Sequence, residues 1–287
     1  MKVLDLFCGC GGLTKGLEDV GFNIVAGIDI WDIAIQSYKS NFDHIGLCKD
    51  LTLYYPEHFE EETGISEIDM IVGGIPCQGF SMGGRREIDD SRNSLFKYYF
   101  KYVRYFKPKV ILIENVIGIM SMKDTDGELI INKIIKKLKN YKIGIFKLSA
   151  ADYEVPQNRR RVIIIGFRKY LALEPTKPIP IENQIAVSTI LESEVGKEYY
   201  LSEKAILGIN TRKEKMRNEN KGFGAQFLKL DKPSYTIPAR YYKDDYDVLI
   251  KYDDQRIRKL TILELKRIQT LGDNFILCGS KKNKLCR

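Results

Sequence analysis

Histidine is nearly missing from the 287 residues: only His44 and His58 occur, both in polar surroundings, so a histidine-based nucleophile triad has little to work with. The six cysteines, Cys8, Cys10, Cys48, Cys77, Cys278 and Cys286, lack the paired spacing of a zinc site, which argues for reduced thiols in a cytosol-like compartment and for no metal. No apolar run approaches the length that crosses a bilayer, and the chain opens straight into a short apolar strand rather than a signal sequence. The first glycine cluster contains neither GxGxxG nor the lysine of a phosphate loop, so neither a dinucleotide nor ATP is specifically indicated.

What is present is ordinary for a soluble globular protein: 44% apolar and 29% charged residues, on a length sufficient for one large domain and a smaller one. The formal charge of +8 and a pI near 9.0 point to a polyanionic partner, with nucleic acid as a candidate. The stretch Gly73-Gly74-Ile75-Pro76-Cys77-Gln78-Gly79-Phe80-Ser81 follows the apolar run Met70-Ile71-Val72, the end of a buried strand, and its glycines and proline stop the strand. Cys77 is thereby presented at a loop mouth as a candidate nucleophile, since a thiol is easily activated by a helix N-terminus or a cation. Its alternative is a small buried hydrophobe.

Lys2 to Phe7 reads as a strand, Cys8-Gly9-Cys10-Gly11-Gly12 as a tight turn, and Leu13 to Val20 as a helix: the opening unit of a nucleotide-binding fold, or a turn with no ligand. A second strand, Ile24 to Ile28, ends in Asp29, whose carboxylate suits ribose hydroxyls. Asp32 competes for that role but is better placed to cap the helix Ile33–Asn41 or to complement its dipole. Asp50, in a turn after Cys48-Lys49, is placed to receive an adenine amino hydrogen. Glu57, Glu60, Glu61 and Glu62 read as a solvated segment.

Arg85 and Arg86, in a glycine-bearing loop after the cysteine, suit phosphates, with a solvated loop as the alternative. In the helix Ser94–Phe106 the residues Leu95, Tyr98, Tyr99, Tyr102 and Phe106 share a face and read as core rather than as stacking platforms for bases. The central strand Val110 to Ile113 ends in Glu114-Asn115-Val116. Because open α/β sheets carry their sites at the carboxyl ends of strands, Glu114 and Cys77 are expected to share a cleft. Further on, alternation sets Arg159 and Arg161 on one side of the run before the strand Val162–Phe167. The tract from Arg212 to Gly224 reads as basic and loop-rich, Ser234 to Tyr242 combines hydroxyls, arginine and aromatics, and Arg258 to Gln269 reads as a polar helix entered through a Thr261/Glu264 capping box.

These segments, in this order, resemble the cytosine-C5 DNA methyltransferases over nearly the whole chain. Asp5-Leu6-Phe7 with Gly9, Gly11 and Gly12 is similar to that family's first cofactor motif, Pro76-Cys77-Gln78 to its nucleophile motif, and Glu114-Asn115-Val116 to its acid motif. Gln157, Arg159 and Arg161 match its arginine motif, and Arg258, Leu260, Thr261, Glu264, Arg267 and Gln269 the motif after the target-recognition region. The resemblance implies an α/β fold: a Rossmann-like S-adenosylmethionine-dependent domain with a mostly parallel sheet, plus a small loop-rich target-recognition domain. The expected boundaries are a catalytic domain over 1–172, a recognition domain over 173–256 and a return segment over 257–287.

It further implies S-adenosyl-L-methionine as methyl donor, held by Phe7, Gly9, Gly11, Gly12, Leu13, Asp29, Ile30, Asp50, Leu51, Pro76 and Leu95. Catalysis is assigned to Cys77, Glu114, Arg161 and Arg159, and substrate contacts to Gln78, Ser81, Arg85, Asn115, Gln157, Thr236 and Arg240. The implied partner is double-stranded DNA whose target cytosine is flipped out of the stack. A restriction-modification setting would add a cognate endonuclease. Ile75, Ser91 and Leu271-Gly272-Asp273 depart from the usual family residues, and the family's closing Gly-Asn-Ala-Val motif does not occur before Arg287. The expectation is therefore a truncated chain, with a second polypeptide as one source of the missing piece. Competing readings are a weakly active or inactive DNA-binding remnant and a tRNA cytosine methyltransferase, whose usual Cys-Phe-Thr tripeptide is not found.

Overall fold

The computed structural model describes residues 1–76, 95–124, 126–181, 183–218, 226–238, 241 and 248–279. Two compact units emerge: Met1–Leu148 with Arg160–Ile179, and Ser149–Arg159 with Pro180–Arg287.

The first unit is built on a seven-stranded sheet. Its strands are β1 (Lys2–Leu6), β2 (Asn23–Asp29), β3 (Ile45–Cys48), β4 (Met70–Gly74), β5 (Val110–Val116), β6 (Tyr141–Ser149) and β8 (Arg160–Arg168), in the order β3-β2-β1-β4-β5-β8-β6. The pairs β2/β3, β1/β2, β1/β4 and β4/β5 are parallel and β5/β8 is antiparallel, so the expected α/β fold with a mostly parallel sheet is present. The order reverses between β1 and β4, and such a switch point opens a crevice at the strands' carboxyl ends. The glycine turn after β1 and the Pro76 segment after β4 stand on its two sides.

The apolar continuity of β1, β4 and β5 is what burial on both faces requires: Val3, Leu4, Leu6, Ile71, Val72, Ile111 and Ile113 are all buried. Helices α1 (Gly12–Glu18), α2 (Asp32–Asn41), α3 (Pro56–Thr63), α4 (Phe96–Phe106) and α5 (Ile130–Lys137) complete this unit. On α4, Tyr99 and Tyr102 are buried while Leu95, Tyr98 and Phe106 pack on the same core, which is the role the helical spacing assigns them. Tyr99 donates to the Ile71 carbonyl at 2.9 Å, fastening helix to sheet. Gly73 makes room for it: a Cβ there would lie 2.8 Å from the Leu6 carbonyl and 3.3 Å from the tyrosine ring.

The second unit holds β7 (Gln157–Asn158), β9 (Ser234–Tyr235), β10 (Ile250–Lys251), β11 (Ile257–Arg258), α6 (Glu203–Asn218) and α7 (Ile262–Ile268). Its core gathers Val187, Leu228, Tyr241, Val248, Ile250, Leu260 and Ile268. Two expectations are corrected here. Residues 212–218, read as loop, continue α6, because Lys, Glu, Met and Arg are good helix formers and the glycines come only later. Arg258 is not helical. It ends β11, fully buried, and donates through Nη1 and Nη2 at 2.8 Å to both carboxylate oxygens of Glu264. The capping box does form, with Glu264 N donating to Thr261 Oγ1 and Thr261 N to Glu264 Oε2.

Candidate active site

Of the expected site residues, Cys77, Gln78, Ser81, Arg85 and Arg240 lie outside the described residues. The structure does describe the frame around the cysteine. Strand β4 carries the chain to Pro76, one residue short of it. Asn115, buried at the end of β5, donates from Nδ2 to the Ile75 carbonyl at 3.1 Å, and its Oδ1 accepts the Val116 amide at 2.9 Å. The residue expected to touch substrate thus spends its amide on the backbone that leads into the cysteine loop.

Glu114 lies beside this segment. In the β4/β5 register it opposes Gly74, and its Oε2 sits 3.6 Å from where a Gly74 Cβ would be. Arg161 enters from the antiparallel neighbour β8, where it opposes Val116, and donates from Nε to Glu114 Oε1 at 2.7 Å. A second Arg161 bond, from Nη1 to the Arg160 carbonyl at 2.8 Å, fixes the guanidinium plane. Both side chains of the pair are mostly buried, at 29% and 20% exposure, so their attraction is less screened than that of a surface pair.

Arg159 belongs to the second unit; its backbone N–H donates to Gln157 O and its carbonyl accepts from Ala150. Gln157 is fully buried, with no hydrogen-bond partner for its amide among the described residues, and Thr236 Oγ1 donates to the Asn158 carbonyl at 2.9 Å.

The glycine turn is ordered by its own backbone demands. Phe7, Gly9 and Gly11 have φ of 61°, 56° and 94°, and for a bulky residue such as Phe7 this conformation is strained. Asp29 holds the turn: Oδ2 accepts the Gly9 amide and Oδ1 the Trp31 amide, each at 2.9 Å. Trp31 is the N-cap of α2, and Asp32 stands in the first turn, where it complements the helix dipole and accepts from Gln36. Asp50 Oδ1 accepts the Thr52 amide at 2.8 Å. Ile30 is 63% exposed, Leu51 is buried, Leu95 and Phe7 pack on the main core, and Leu13 packs with Val3 and Ile24. The acidic stretch is less idle than expected, since Glu62 pairs with Lys49 at 2.8 Å and accepts from Tyr54 at 2.9 Å.

These residues fit an adenosyl ligand on two observations. A Cβ added at Gly9 or Gly12 would meet nothing within 4 Å, so the turn leaves open space in which a ligand can approach the chain's backbone closely. Beside it Asp5 is fully buried with Oδ1 unpartnered among the described residues. Burial pushes the Asp5 carboxyl up to about 7, and the Asp29 charge pushes in the same direction, against the hydrogen bond from Thr14. The same burial raises the thiols of Cys8 and Cys10, which marks them as inert. Sequence reading missed the Asp5 environment and the Arg258–Glu264 pair. A lone acid inside the apolar strand Val3–Leu6 was the available signal for the first.

A doubly wound sheet with a glycine turn on one side of its switch point and an acid–arginine pair on the other is the general form of a Rossmann-like transferase. The chain belongs to the C-5 cytosine-specific DNA methylase family, whose model matches residues 1–287. It is 33% identical over 287 residues to the type II methyltransferase M1.ScrFI of Lactococcus lactis subsp. cremoris, covering 96% of this chain and 70% of that protein. It is 32% identical over 284 residues to M.DsaV of Dactylococcopsis salina, covering 96% and 78%. With M.DdeI of Desulfomicrobium norvegicum the likeness is 37% over 199 residues, 68% of this chain and 46% of that protein. Among solved structures, a mutant of Spodoptera frugiperda DNMT2 superimposes with a TM-score of 0.76 at 21% identity, covering 99% of this chain and 93% of that one. S. pombe Dnmt2 methyltransferase gives 0.73 at 17%, covering 100% and 91%, a likeness of fold. Among the described residues no helix is long and apolar enough to cross a membrane, and no cluster suited to a metal ion occurs.

Proposed function

We propose that this chain transfers a methyl group to C5 of cytosine within a specific double-stranded DNA sequence, as the modification partner of a restriction system. The observation that carries the reading is the Glu114–Arg161 pair, held beside the strand end that delivers Pro76 and hence Cys77. S-adenosyl-L-methionine would be held at the glycine turn, with Asp29 for its ribose and Asp50 for its adenine, and would supply an electrophilic methyl group.

The residues of the chain do the rest. The C5 position of cytosine is a poor nucleophile, so the Cys77 thiolate adds to C6 and the C5=C6 π electrons become available at C5. Glu114 stabilises this step by hydrogen bonding or protonating N3, and Arg161 orients Glu114 while its remaining N–H groups reach the base O2. After methylation, a base removes the C5 proton and the electron pair re-forms C5=C6 while the Cys77 sulfur leaves. The target must be flipped out of the duplex for this chemistry, and Ser81 and Arg85 are assigned to contacts with that DNA. Gln157, Thr236 and Arg240 contribute the DNA contacts of the second unit.

Transfer of labelled methyl from S-adenosylmethionine to duplex DNA, with Cys77→Ala as control, tests the reading. Label on tRNA alone would refute it. DNA binding with no transfer to either substrate would identify a remnant, or one subunit of a split enzyme whose partner polypeptide restores activity when added.

A further inference from the structure

The glycine turn is braced from behind by a buried polar chain that the proposed reaction does not use. Asp5 stands on β1 just before the turn and Thr14 on α1 just after it, and Thr14 Oγ1 donates to Asp5 Oδ2 at 2.7 Å, closing the turn at its two ends. Tyr38, from α2, continues the chain: its hydroxyl lies 3.3 Å from Thr14 Oγ1 and 3.1 Å from His44 Nδ1. The His44 Nε2 then faces Glu18 Oε1 at 3.8 Å. Asp5, Thr14 and Tyr38 are fully buried.

Two glycines are shaped around this tyrosine. A Cβ at Gly27 would lie 2.4 Å from Tyr38 Cζ, and one at Gly11 would lie 2.3 Å from the Phe42 ring and 3.0 Å from the Tyr38 ring. Tyr38, Phe42 and His44 form one aromatic cluster, with centroids 4.8 to 5.2 Å apart. The turn conformation and the position of Tyr38 are therefore mutually dependent.

We propose that Tyr38 is a positioning residue for the methyl-donor site, holding the glycine turn through Thr14 and Asp5 and linking the proton on Asp5 to the tautomer of His44. The proposal rests on the reading of the turn as that site. Each hydroxyl in the chain has one hydrogen, so the chain has a direction. With Asp5 ionised, Thr14 donates to Asp5, Tyr38 donates to Thr14, and the Tyr38 oxygen is left to accept from His44 Nδ1–H. With a proton on Asp5, the sense reverses: Asp5 donates to Thr14, Thr14 to Tyr38, and Tyr38 to a bare His44 Nδ1, which places the imidazole hydrogen on Nε2, towards Glu18. The hydroxyl hydrogens rotate, while the imidazole loses its Nδ1 proton to solvent and takes one from solvent at Nε2, so that the only net gain is the proton on Asp5.

The charged and titratable groups facing this chain come from four directions. Asp29 and Cys8 face Asp5, Glu18 and Cys8 face Tyr38, and Glu18 and Asp43 face His44. Burial raises Asp5 to about 7 and lowers His44 from its ordinary value, against the pull of Glu18 and Asp43.

The test uses the full chain and S-adenosylhomocysteine as the probe, with calorimetric affinity and nitrogen NMR of the imidazoles as separate readouts. His44 and His58 are the only histidines, so a His58→Gln background isolates the signal. Tyr38→Phe keeps the ring that fills the Gly27 space and loses only the hydroxyl; it is expected to bind the probe about tenfold more weakly. In the parent chain the His44 tautomer should change between pH 5 and 8 as Asp5 gains its proton, as an outcome of about the range set by its raised value; in Tyr38→Phe and in Asp5→Asn that change should vanish. Thr14→Ser, which retains the hydroxyl, should restore parental behaviour in both readouts. Unchanged probe affinity in Tyr38→Phe overturns the positioning role, and a His44 tautomer indifferent to Asp5→Asn overturns the chain. If the parent chain binds no adenosyl ligand at all, the donor-site reading fails, while the NMR comparison still decides whether the chain exists.

Discussion

Arg161 donates from Nε to Glu114 Oε1 at 2.7 Å across the antiparallel pairing of β5 with β8. An antiparallel neighbour is what allows an arginine near the start of one strand to reach an acid near the end of the next. A parallel partner would place its own amino end at the opposite edge of the sheet. Arg161→Ala should therefore lower single-turnover methyl transfer by about 10²- to 10⁴-fold, the range associated with a positioned acid–base group. Glu114→Gln should show a loss of the same order with DNA binding retained. Wild-type rates in either variant would remove the pair from the mechanism.

The Asn115 bond to the Ile75 carbonyl predicts a different kinetic signature. Asn115→Ala leaves a buried carbonyl without its donor, at a cost of about 1–3 kcal/mol, and frees the backbone that leads into the cysteine. The expected result is a lower kcat with little change in the KM for methyl donor. A KM effect alone would mean that the amide serves ligand binding instead.

Acid–base linkage at Asp5 gives a stability prediction with a definite sign. Burial raises its carboxyl from 3.8 to about 7, so between those values the folded chain holds a proton that the unfolded chain has released. Its contribution is fully present below the unfolded value and is lost as pH rises towards 7, by up to about 4 kcal/mol. His44, lowered by burial, acts in the opposite sense, so the useful quantity is the difference between the parent and Asp5→Asn. In thermal melts from pH 4 to 8 the variant should gain on the parent as pH rises. A flat difference would show that Asp5 ionises like an exposed acid.

The buried Arg258–Glu264 pair predicts strong asymmetry between single and double replacement. Arg258→Ala strands a carboxylate in the second unit and should cost about 3–5 kcal/mol. The double change to Met and Leu should not recover all of it, because Glu264 also accepts the amides of Thr261 and Glu192. Hydrogen exchange of α7 and β11 amides reads the loss within this unit; full protection in the double variant would contradict the capping argument.

With a formal charge of +8, duplex binding should weaken steeply with salt as phosphate neutralisation releases counterions. A flat response across 50 to 200 mM salt, about the range over which such binding usually collapses, would speak against a phosphate-dominated interface.

Local chemistry made much of this protein legible in one dimension. The run Val110–Ile113 announces a strand buried on both faces, Thr261 and Glu264 announce a helix start three residues apart, and the aromatics of α4 announce a core face through their spacing. Each is a short-range consequence of backbone geometry, so neighbouring residues suffice to predict it. Arg258 was misassigned because its partner lies on the next element: a charge that reads as surface becomes core when both carboxylate oxygens meet it. Asn115 shows the same limit of short-range reading, its amide answering a carbonyl 40 residues away.

The sequence by itself determined the strand–turn–helix opening, the order of the motifs and the chemical types available for catalysis. Only the tertiary structure decided that Arg161 meets Glu114, that Asn115 holds the approach to Cys77, and that Asp5 is sealed with Thr14 and Tyr38 behind the glycine turn. The reason is physical: periodicity and turn preference act over a few residues, whereas pairing and desolvation depend on which strands become neighbours, and the sheet order joins segments far apart in the chain.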